Sequence, residues 1–386
     1  MIQKPKLIRV TTVPISLKLL ITGQMKFMSE SGFEVIAVSA DGKEIEEVKQ
    51  NEGCTHITIN LSRKITPFND LKSLWQMYKL FKNQKPDIVH THTPKAGLIG
   101  MLAAKMAGVK TRIHTVAGMP LMVYEGTMKK ILIAVEKLTY WACTDVWPNS
   151  YSLNNYILEN KFTEKSKIKI INKGSSNGID LSRFSIESLN QEKLNTIKNE
   201  INYNSNEKIV VLIGRMVKDK GVEELVEAFK VLQSENIEFK LLLIGPFEHD
   251  LDPLNKEIAE EIENNPKIQH INWSDDVEYY MHLSYLLIHP SYREGFPNVL
   301  LQAGAMKCPV LCSEIPGNVD VANNRSEATW FKVKNKVDLY EKLKWALENE
   351  NELKNRAENL YQKITKSFSR LEMHQAILEE YKRKLL

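Results

Sequence analysis

The residues best suited to chemistry lie in the stretch 291–302, which reads SYREGFPNVLLQ. An apolar run precedes it and a helical pattern follows it, so it predicts the turn between a buried strand and a helix. Gly295 permits a tight turn, and Pro297 suits the first helical position because it has no N–H to leave unbonded. The N–H groups of residues 298–300 would then point out of the helix. Unpaired donors and the helix dipole make such an end attractive to phosphate.

Two polar side chains flank this turn. Glu294 lies just before the helix, and Gln302 follows eight residues later. Both can hydrogen-bond sugar hydroxyls while the helix end holds phosphate. A carboxylate at a helix start can instead be a simple N-cap, and the spacing leaves both interpretations open.

A second group of residues could also hold phosphate. An apolar stretch at 208–213 predicts a strand, which leads into Gly214, then Arg215 and Lys220, then a further helical pattern. Arginine can bind a diphosphate through two parallel hydrogen bonds, whereas lysine acts as a point charge. The alternative is that both cations form surface salt bridges. The spacing lacks Gly-x4-Gly-Lys-Ser/Thr, which argues against a P-loop.

The N-terminal half alternates strand and helix patterns, which predicts a parallel, doubly wound sheet. Ligands bind beyond the carboxyl ends of the strands in such sheets. Segments 12–17, 90–95 and 115–119 fall at those ends. The candidate substrate contacts there are Ser16, His92, Thr93, Lys95 and Gly118.

Two of the histidines admit other interpretations. His90 and His92 lie two apart on one face of a predicted strand, as metal ligands can, but no third ligand is evident in the sequence. They are alternatively buried, hydrogen-bonded histidines of the core, or His92 contacts substrate.

Length and composition bound the class of protein. The chain has 386 residues, 43% hydrophobic and 26% charged, which suits two globular domains. Four cysteines are few, which indicates a reducing, cytoplasmic location, and Cys308 and Cys312 are expected to be buried thiols. No signal peptide and no membrane-spanning run is predicted. The polar stretch 182–205 is interpreted as the connection between domains.

Charge is unevenly distributed along the chain. Residues 1–185 hold 26 basic and 15 acidic side chains, and the remainder holds 26 basic and 33 acidic. A basic half can attract phosphates or an anionic membrane surface, although a lysine-rich solvated surface is the alternative. Residues 128–143 are apolar on more than one face, so they form either a packed domain helix or a peripheral membrane contact. The basic excess is not interleaved with aromatic residues, so no nucleic-acid partner is predicted.

The two motifs together resemble glycosyltransferase family 4. The stretch Arg-Glu-Gly-Phe-Pro at 293–297 is similar to the start of that family's Glu-x7-Glu signature, and residues 214–221 are similar to its Gly-Arg-x4-Lys-Gly motif. The stretch His-Thr-His-Thr-x-Lys at 90–95 resembles bacterial members that build capsule and O-antigen polysaccharides. The chain departs from the family pattern twice, with Gln302 in place of the second glutamate and Ala117 in place of a histidine.

The resemblance implies a GT-B fold, in which two doubly wound, Rossmann-like α/β domains face a cleft. Residues 1–185 would bind the acceptor and residues 186–368 the nucleotide sugar, while a terminal helix at about 369–386 packs back on the first domain. By the same resemblance Glu294, Arg215 and Lys220 are the catalytic residues. The implied donor-binding residues are Gly214, Gly295, Phe296, Pro297, Asn298, Val299, Gln302 and Trp273, although ordinary packing is the alternative for Trp273.

The implied activity is retaining transfer of a hexosyl or N-acetylhexosaminyl group from a UDP-sugar to a saccharide acceptor. The expected acceptor is linked to a polyprenyl diphosphate, at the inner face of a bacterial membrane. No metal or other cofactor is expected, because Arg215 and Lys220 would supply the positive charge. The Asp-x-Asp at 250–252 is interpreted as a turn. The alternatives are an epimerase or phosphorylase on the same scaffold and a non-catalytic sugar-nucleotide binder.

Overall fold

The computed structural model describes residues 4–64, 66–122, 124–248 and 252–386. The chain forms two compact units. The first comprises the chain up to Gly178 together with Arg370–Leu386, and the second comprises Ile179–Ser369. The chain therefore enters the second unit earlier than residue 186, the start of the predicted donor domain. The acceptor and donor roles of the two domains stay predictions.

The first unit is built on a six-stranded parallel sheet. Its strands are β1 (Lys6–Val10), β2 (Glu34–Ser39), β3 (Thr55–Thr58), β4 (Ile88–His92), β5 (Thr111–Val116) and β6 (Asp145–Pro148). Their order is β3-β2-β1-β4-β5-β6, so the direction of winding reverses between β1 and β4. In register, Leu7 of β1 lies beside Val35 of β2 and Ile88 of β4.

Helices cover both faces of this sheet. Those that connect its strands or follow the last one are α1 (Pro14–Leu20), α2 (Gln24–Glu30), α3 (Ile45–Glu52), α4 (Pro67–Gln84), α5 (Pro94–Ala107), α6 (Gly126–Ala142) and α7 (Tyr151–Glu159). Alternate residues of β1 point to opposite faces. Ile8 and Val10 join the core under α4–α7, whereas Leu7 joins the core under α1–α3. Helices thus bury both faces of the central strands, as is usual for a parallel sheet.

The second unit repeats this plan. Its strands are β7 (Ile209–Ile213), β8 (Lys240–Ile244), β9 (Ile268–Ile271), β10 (Leu286–His289), β11 (Val310–Ser313) and β12 (Thr329–Phe331). All pair in parallel, in the order β12-β11-β10-β7-β8-β9, and the winding reverses between β10 and β7. The two doubly wound parallel sheets predicted from the sequence are confirmed.

The second unit contains α8 (Gln191–Glu200), α9 (Val222–Ser234), α10 (Lys256–Asn264), α11 (Val277–Leu283), α12 (Asn298–Ala305), α13 (Pro316–Val321), α14 (Lys336–Glu348) and α15 (Glu350–Ser367). The prediction of a simple connection at 182–205 is wrong, because α8 lies within it and buries Leu194 and Ile197 in the core. Only two apolar residues of this helix are buried, which explains why its polar composition resembled that of a linker.

The last helix, α16 (Arg370–Leu385), belongs to the first unit. It buries Met373, Ile377 and Tyr381 in the core that α1–α3 also cover. No helix within the described ranges is both long enough and apolar enough to cross a bilayer.

Candidate active site

The two predicted phosphate-binding segments leave neighbouring strands of the second sheet. Lys220 follows β7, Glu294 follows β10, and these strands are paired where the winding reverses. Connections diverge at such a point and leave a crevice beyond the carboxyl ends of the strands. Residues 74 positions apart in the sequence therefore meet at the place where this fold class binds ligands.

Lys220 and Glu294 form an ion pair. The ammonium Nζ of Lys220 donates a hydrogen bond to Oε1 of Glu294, and the hydroxyl of Ser291 donates to the same oxygen at 2.9 Å. The side chains of Lys220 and Glu294 each keep 19% of their surface exposed. A ligand can therefore reach both groups. Ser291 was not predicted, although it lies in the same stretch as Glu294.

The environment keeps the Glu294 carboxylate charged. Burial raises its pKa, but the attraction of Lys220 and contact with His289 outweigh burial and hold the pKa well below its ordinary value. His289 is buried, and its Nε2 lies 3.4 Å from Oε1 of Glu294, too far for a good hydrogen bond. Burial lowers the pKa of His289, so this ring is neutral near pH 7.

Two glycines allow the chain to hold this pair. Gly221 has a φ of +67°, and a Cβ there would lie 2.2 Å from the carbonyl oxygen of Pro290. Gly317 packs on Glu294 itself, since a Cβ at Gly317 would lie 2.5 Å from the Glu294 carbonyl oxygen. Only glycine fits at either place. Gly221 was signalled by its motif, but nothing in the sequence indicated the contact of Gly317.

Helix α12 begins one residue later than predicted. Pro297 is its N-cap rather than its first residue, and no side chain caps the helix. Glu294 is therefore not an N-cap, and its carboxylate faces Lys220 instead. The N–H of Leu300 donates to the carbonyl of Pro297 at 3.2 Å, so the prediction that this group is free is wrong. The hydrogen bond closes a tight first turn of α12.

Arg215 lies beside the same strand end with its own partner. Its Nη1 donates to Oε2 of Glu248 at 2.6 Å. The preceding Gly214 donates from its backbone to Ile244, and its carbonyl is packed against Gly245, where a Cβ would lie 1.9 Å away. The guanidinium is thus held at the edge of the sheet by β7 and β8 together.

The other predicted donor-binding residues differ in accessibility. Phe296 is buried and its ring packs on Phe368 at 5.3 Å, so only its backbone is available to a ligand. Gly295 is buried, whereas Gln302 keeps part of its surface exposed. Trp273 is exposed and follows β9. Pro297, Asn298 and Val299 lie at the start of α12.

In the first unit, Thr93 is the predicted site residue with the most unusual conformation. It precedes α5 with a φ of +72°, which is costly for a β-branched residue. Its hydroxyl accepts from the N–H of Thr12 at 3.1 Å and lies 2.8 Å from the Thr12 hydroxyl. These residues follow β4 and β1, where the winding of the first sheet reverses. Backbone strain of this kind is concentrated at functional sites.

The neighbouring candidates are largely engaged by protein groups. Lys95 forms a salt bridge to Asp70 at 2.7 Å. His92 is buried and lies 2.8 Å from Nη2 of Arg9. Ser16 and Gly118 are partly exposed near the same edge of the sheet. Of this group, His92 therefore meets a ligand only if the surrounding side chains move.

The buried interpretation of His90 is confirmed. Its Nδ1 lies 2.5 Å from the hydroxyl of Tyr381, and its Nε2 lies 2.7 Å from the hydroxyl of Thr115. The ring stacks on His92 with a centroid separation of 4.3 Å. The described residues contain no cluster of three or more histidine, cysteine or acidic side chains suited to a metal ion.

A histidine, two cysteines and the Asp-x-Asp segment lie outside the groups described above. His114 is a buried core residue whose Nδ1 lies 2.8 Å from the hydroxyl of Thr91. Cys308 and Cys312 are buried free thiols. Asp250 and Leu251 of the predicted Asp-x-Asp turn lie outside the described residues. Asp252 accepts from the backbone N–H of Asp219 at 2.7 Å.

The chain matches two family profiles in sequence. The profile described as glycosyl transferases group 1 matches residues 194–363, and the one described as glycosyl transferase 4-like matches residues 16–148. The first match covers α12 and the Lys220–Glu294 pair. The second match covers the sheet edge at Thr93.

Relatives that match over most of the chain support the same grouping. The capsular polysaccharide biosynthesis glycosyltransferase CapM of Staphylococcus aureus is 35% identical over 322 residues, 83% of this chain and 81% of CapM. The UDP-Gal:alpha-D-GlcNAc-diphosphoundecaprenol alpha-1,3-galactosyltransferase of Escherichia coli is 27% identical over 286 residues, 72% of this chain and 71% of that protein.

A solved structure agrees in fold. Anabaena Alr3699/HepE in complex with UDP and glucose superposes with a TM-score of 0.80, covering 98% of this chain and 100% of that one at 13% identity. At this identity the likeness concerns architecture alone, and it confirms the GT-B expectation for two six-stranded parallel sheets with flanking helices. The chain belongs to the group 1 glycosyltransferases, which are the family 4 enzymes of GT-B fold.

Proposed function

We propose that this glycosyltransferase moves a hexosyl or N-acetylhexosaminyl group from a UDP-sugar to a saccharide linked to a polyprenyl diphosphate. The product would be an intermediate of a bacterial surface polysaccharide. The observation that carries the proposal is the Lys220–Glu294 ion pair at the reversal point of the second sheet, beside the start of α12. A cation for the diphosphate and a carboxylate for the sugar stand next to each other there.

The names of related proteins support the choice of substrates. CapM is described as an enzyme of capsular polysaccharide biosynthesis. The Escherichia coli relative is named for a UDP-galactose donor and a diphosphoundecaprenol-linked acceptor, and HepE was crystallised with UDP and glucose. A uridine nucleotide is thus named for two of these proteins, and a lipid-linked acceptor for one of them.

In the proposed reaction, the bond between the anomeric carbon and the diphosphate oxygen breaks and UDP departs. A bond to the acceptor hydroxyl oxygen forms on the same face of the sugar, and the hydroxyl proton passes to the departing diphosphate. Lys220, Arg215 and the unpaired N–H groups at the start of α12 stabilise the negative charge that develops on the departing diphosphate. Glu294 orients the sugar and faces the positive charge that develops on its ring. Preorganised charge of this kind is usually the largest contribution to catalysis.

Lys220 and Arg215 each exchange a partner when the donor binds. Both are held by carboxylates in the structure, Lys220 by Glu294 and Arg215 by Glu248. These ion pairs hold the cations in place without leaving buried charge unpaired. A diphosphate carries more negative charge than either carboxylate, so it competes for both cations.

The test compares Lys220→Ala and Glu294→Gln in a transfer assay with UDP-sugars and a synthetic polyprenyl-diphosphate saccharide. Lys220→Ala should lower kcat about 100- to 1000-fold, as loss of one preorganised charge-stabilising group does. Glu294→Gln should slow transfer while UDP still raises the melting temperature. Both variants should be compared in the presence of EDTA, in which the unmodified enzyme is expected to stay active.

Lys218→Ala is the matched control. Lys218 lies in the same short turn, but its Nζ contacts Asn255 at 2.9 Å rather than Glu294. Its removal should leave kcat within a few-fold of the original value. Unchanged turnover in Lys220→Ala would refute the assignment. Formation of a sugar 1-phosphate from added phosphate, or of an epimer, without acceptor transfer would favour the phosphorylase or epimerase alternative.

A further inference from the structure

Helices α4 and α6 of the first unit present apolar side chains to solvent. On α4, Phe68 is 92% exposed and Leu71 is 66% exposed, and Trp75 continues the same face one turn later. Their spacing of three and then four residues places them on one stripe of the helix. These are large side chains to leave in water, and a contiguous exposed group of this kind marks an interaction surface.

Helix α6 carries a second stripe. Met128, Ile131, Leu138 and Trp141 are exposed along its length. The sequence left open whether this segment is a packed helix or a membrane contact. The opposite side of α6 is packed, since Tyr140 and Ala142 lie in the core, so the helix is amphipathic.

The two stripes belong to one helical layer. Helices α4, α5 and α6 pack side by side on one face of the sheet. Their buried side chains share a core with Ile8 and Val10 of β1. Lys105 of α5 lies over the ring of Trp141 at 4.1 Å, which connects α5 to the second stripe. Phe68, Leu71, Met128 and Ile131 lie near the start of their helices, which follow the carboxyl ends of strands. That is the edge of the sheet where Thr93 lies.

Charge distinguishes this layer from the opposite one. Helices α4–α7 contain eight lysines and three acidic residues. Of the acidic residues, Asp70 is paired with Lys95 and Glu136 is buried. Helices α1–α3 and α16, on the other face of the sheet, contain seven basic and seven acidic residues. The net positive charge of the first unit's helices is thus carried by the face that bears the exposed apolar stripes.

We infer that the outer face of α4 and α6 binds the surface of an anionic phospholipid membrane. Aromatic and aliphatic side chains would enter the headgroup boundary, and the surrounding lysines would contact anionic headgroups. Charge complementarity favours this partner over a second copy of the chain, because two such basic faces would repel each other. The inference rests on this surface alone and stands whether or not the proposed sugar transfer is correct.

The test measures co-sedimentation of the full chain with vesicles of phosphatidylglycerol and with vesicles of phosphatidylcholine. Binding to the anionic vesicles should be at least about tenfold stronger and should weaken in 0.5 M salt, because screening shortens the reach of the charges. The double variants Phe68→Ser/Leu71→Ser and Met128→Ser/Ile131→Ser should each lower the partition coefficient about tenfold or more.

Matched controls separate this surface from general effects. Val231→Ser/Val337→Ser removes two exposed apolar side chains from the second unit and should not change binding. Lys72→Glu/Lys130→Glu should weaken binding to anionic vesicles, whereas Lys26→Glu/Lys382→Glu on the opposite layer should have a much smaller effect. Glu294→Gln should bind vesicles as the unmodified protein does. The vesicle experiment therefore tests the membrane surface independently of the proposed sugar transfer.

Three outcomes would overturn the inference. The first is equal binding of the protein to the anionic and neutral vesicles. The second is that the control double variants weaken vesicle binding as much as the variants of α4 and α6 do. The third is absence of vesicle binding combined with a dimer in light scattering that dissociates in Phe68→Ser/Leu71→Ser, which would assign the surface to a second copy.

Discussion

The ion pair of Lys220 and Glu294 shows how single residues divide the work at this site. Ser291 supports the carboxylate, and a neutral His289 lies beneath it without adding a second positive charge. A protonated imidazole there would compete with Lys220 for Glu294. If Glu294 acts as proposed, burial of His289 leaves its carboxylate available to one cation.

At the same scale, Gly317→Ala tests how closely Glu294 is positioned. The new Cβ would come within 2.5 Å of the Glu294 carbonyl oxygen and 2.8 Å of its Cβ, so the backbone around Glu294 must shift. We expect kcat to fall at least about tenfold, because misplacement of catalytic groups by a fraction of an ångström to 1 Å is costly. Urea denaturation should show that the variant remains folded. Full activity would mean that the position of Glu294 is not critical.

His114 provides a residue-scale prediction about pH. Burial lowers its pKa to about 4, whereas the unfolded chain has a histidine pKa of about 6.5. Between these values the unfolded chain binds a proton that the folded chain does not, so stability falls as the pH falls from about 6.5 toward 4. His114→Phe keeps the ring volume and cannot be protonated. Between pH 7 and pH 5, the unfolding free energy of His114→Phe should fall by about 1 to 2 kcal/mol less than that of the unmodified protein.

The control for this measurement is His282→Gln. Burial also lowers the pKa of His282, but this residue is exposed and not in the core, so its removal should change the pH dependence less than removal of His114. Urea unfolding curves at several pH values give the free energies. An identical pH dependence in His114→Phe and the unmodified protein would show that His114 does not contribute.

At the scale of elements, helix α16 is held to the first unit by a buried polar group as well as by apolar packing. Arg9 of β1 is fully buried, and its Nη1 donates to the hydroxyl of Tyr381 at 2.8 Å. The same hydroxyl contacts His90 of β4, while His374 of α16 contacts Asn177 at 2.8 Å. These contacts attach the last helix to strands near the beginning of the chain.

Tyr381→Phe isolates this attachment. It keeps the ring and removes the hydroxyl, so the Arg9 guanidinium and His90 lose a buried hydrogen-bond partner. The free energy of unfolding should fall by about 1.5 to 3 kcal/mol, the range for hydrogen bonds to charged groups. Tyr151→Phe on exposed α7 is the matched control and should be neutral. If Tyr381→Phe lowers the free energy of unfolding no more than Tyr151→Phe does, the apolar contacts of α16 alone would account for its attachment.

At the scale of the whole molecule, each unit has its own hydrophobic cores, so each can respond to a ligand separately. UDP should stabilise the unit that binds it by mass action. When UDP is added, exchange of backbone amide hydrogens with solvent is therefore expected to slow in residues 214–221 and 294–302. The exchange rate in residues 88–93 should stay unchanged.

UMP serves as the control for this experiment, because it lacks the second phosphate and should protect both segments less. Protection confined to residues 88–93 would place the nucleotide in the first unit and would reverse the proposed roles of the two units.

The sequence by itself determined the fold class, the family and most of the candidate site. Strand periodicity, glycines at strand ends and the two motifs around Lys220 and Glu294 are local signals, and local signals can be read from a single chain. The same holds for the buried state of Cys308 and Cys312.

The tertiary structure decided what depends on contacts between distant residues. Only the fold brings Gly317 against Glu294 and shows that α8 contributes to a core. Only the fold shows that the apolar residues of α4 and α6 lie on the outside, because a helical pattern does not reveal which of its apolar faces will find a partner. Such contacts depend on how strands and helices are arranged in space, and no local pattern of residues records that arrangement.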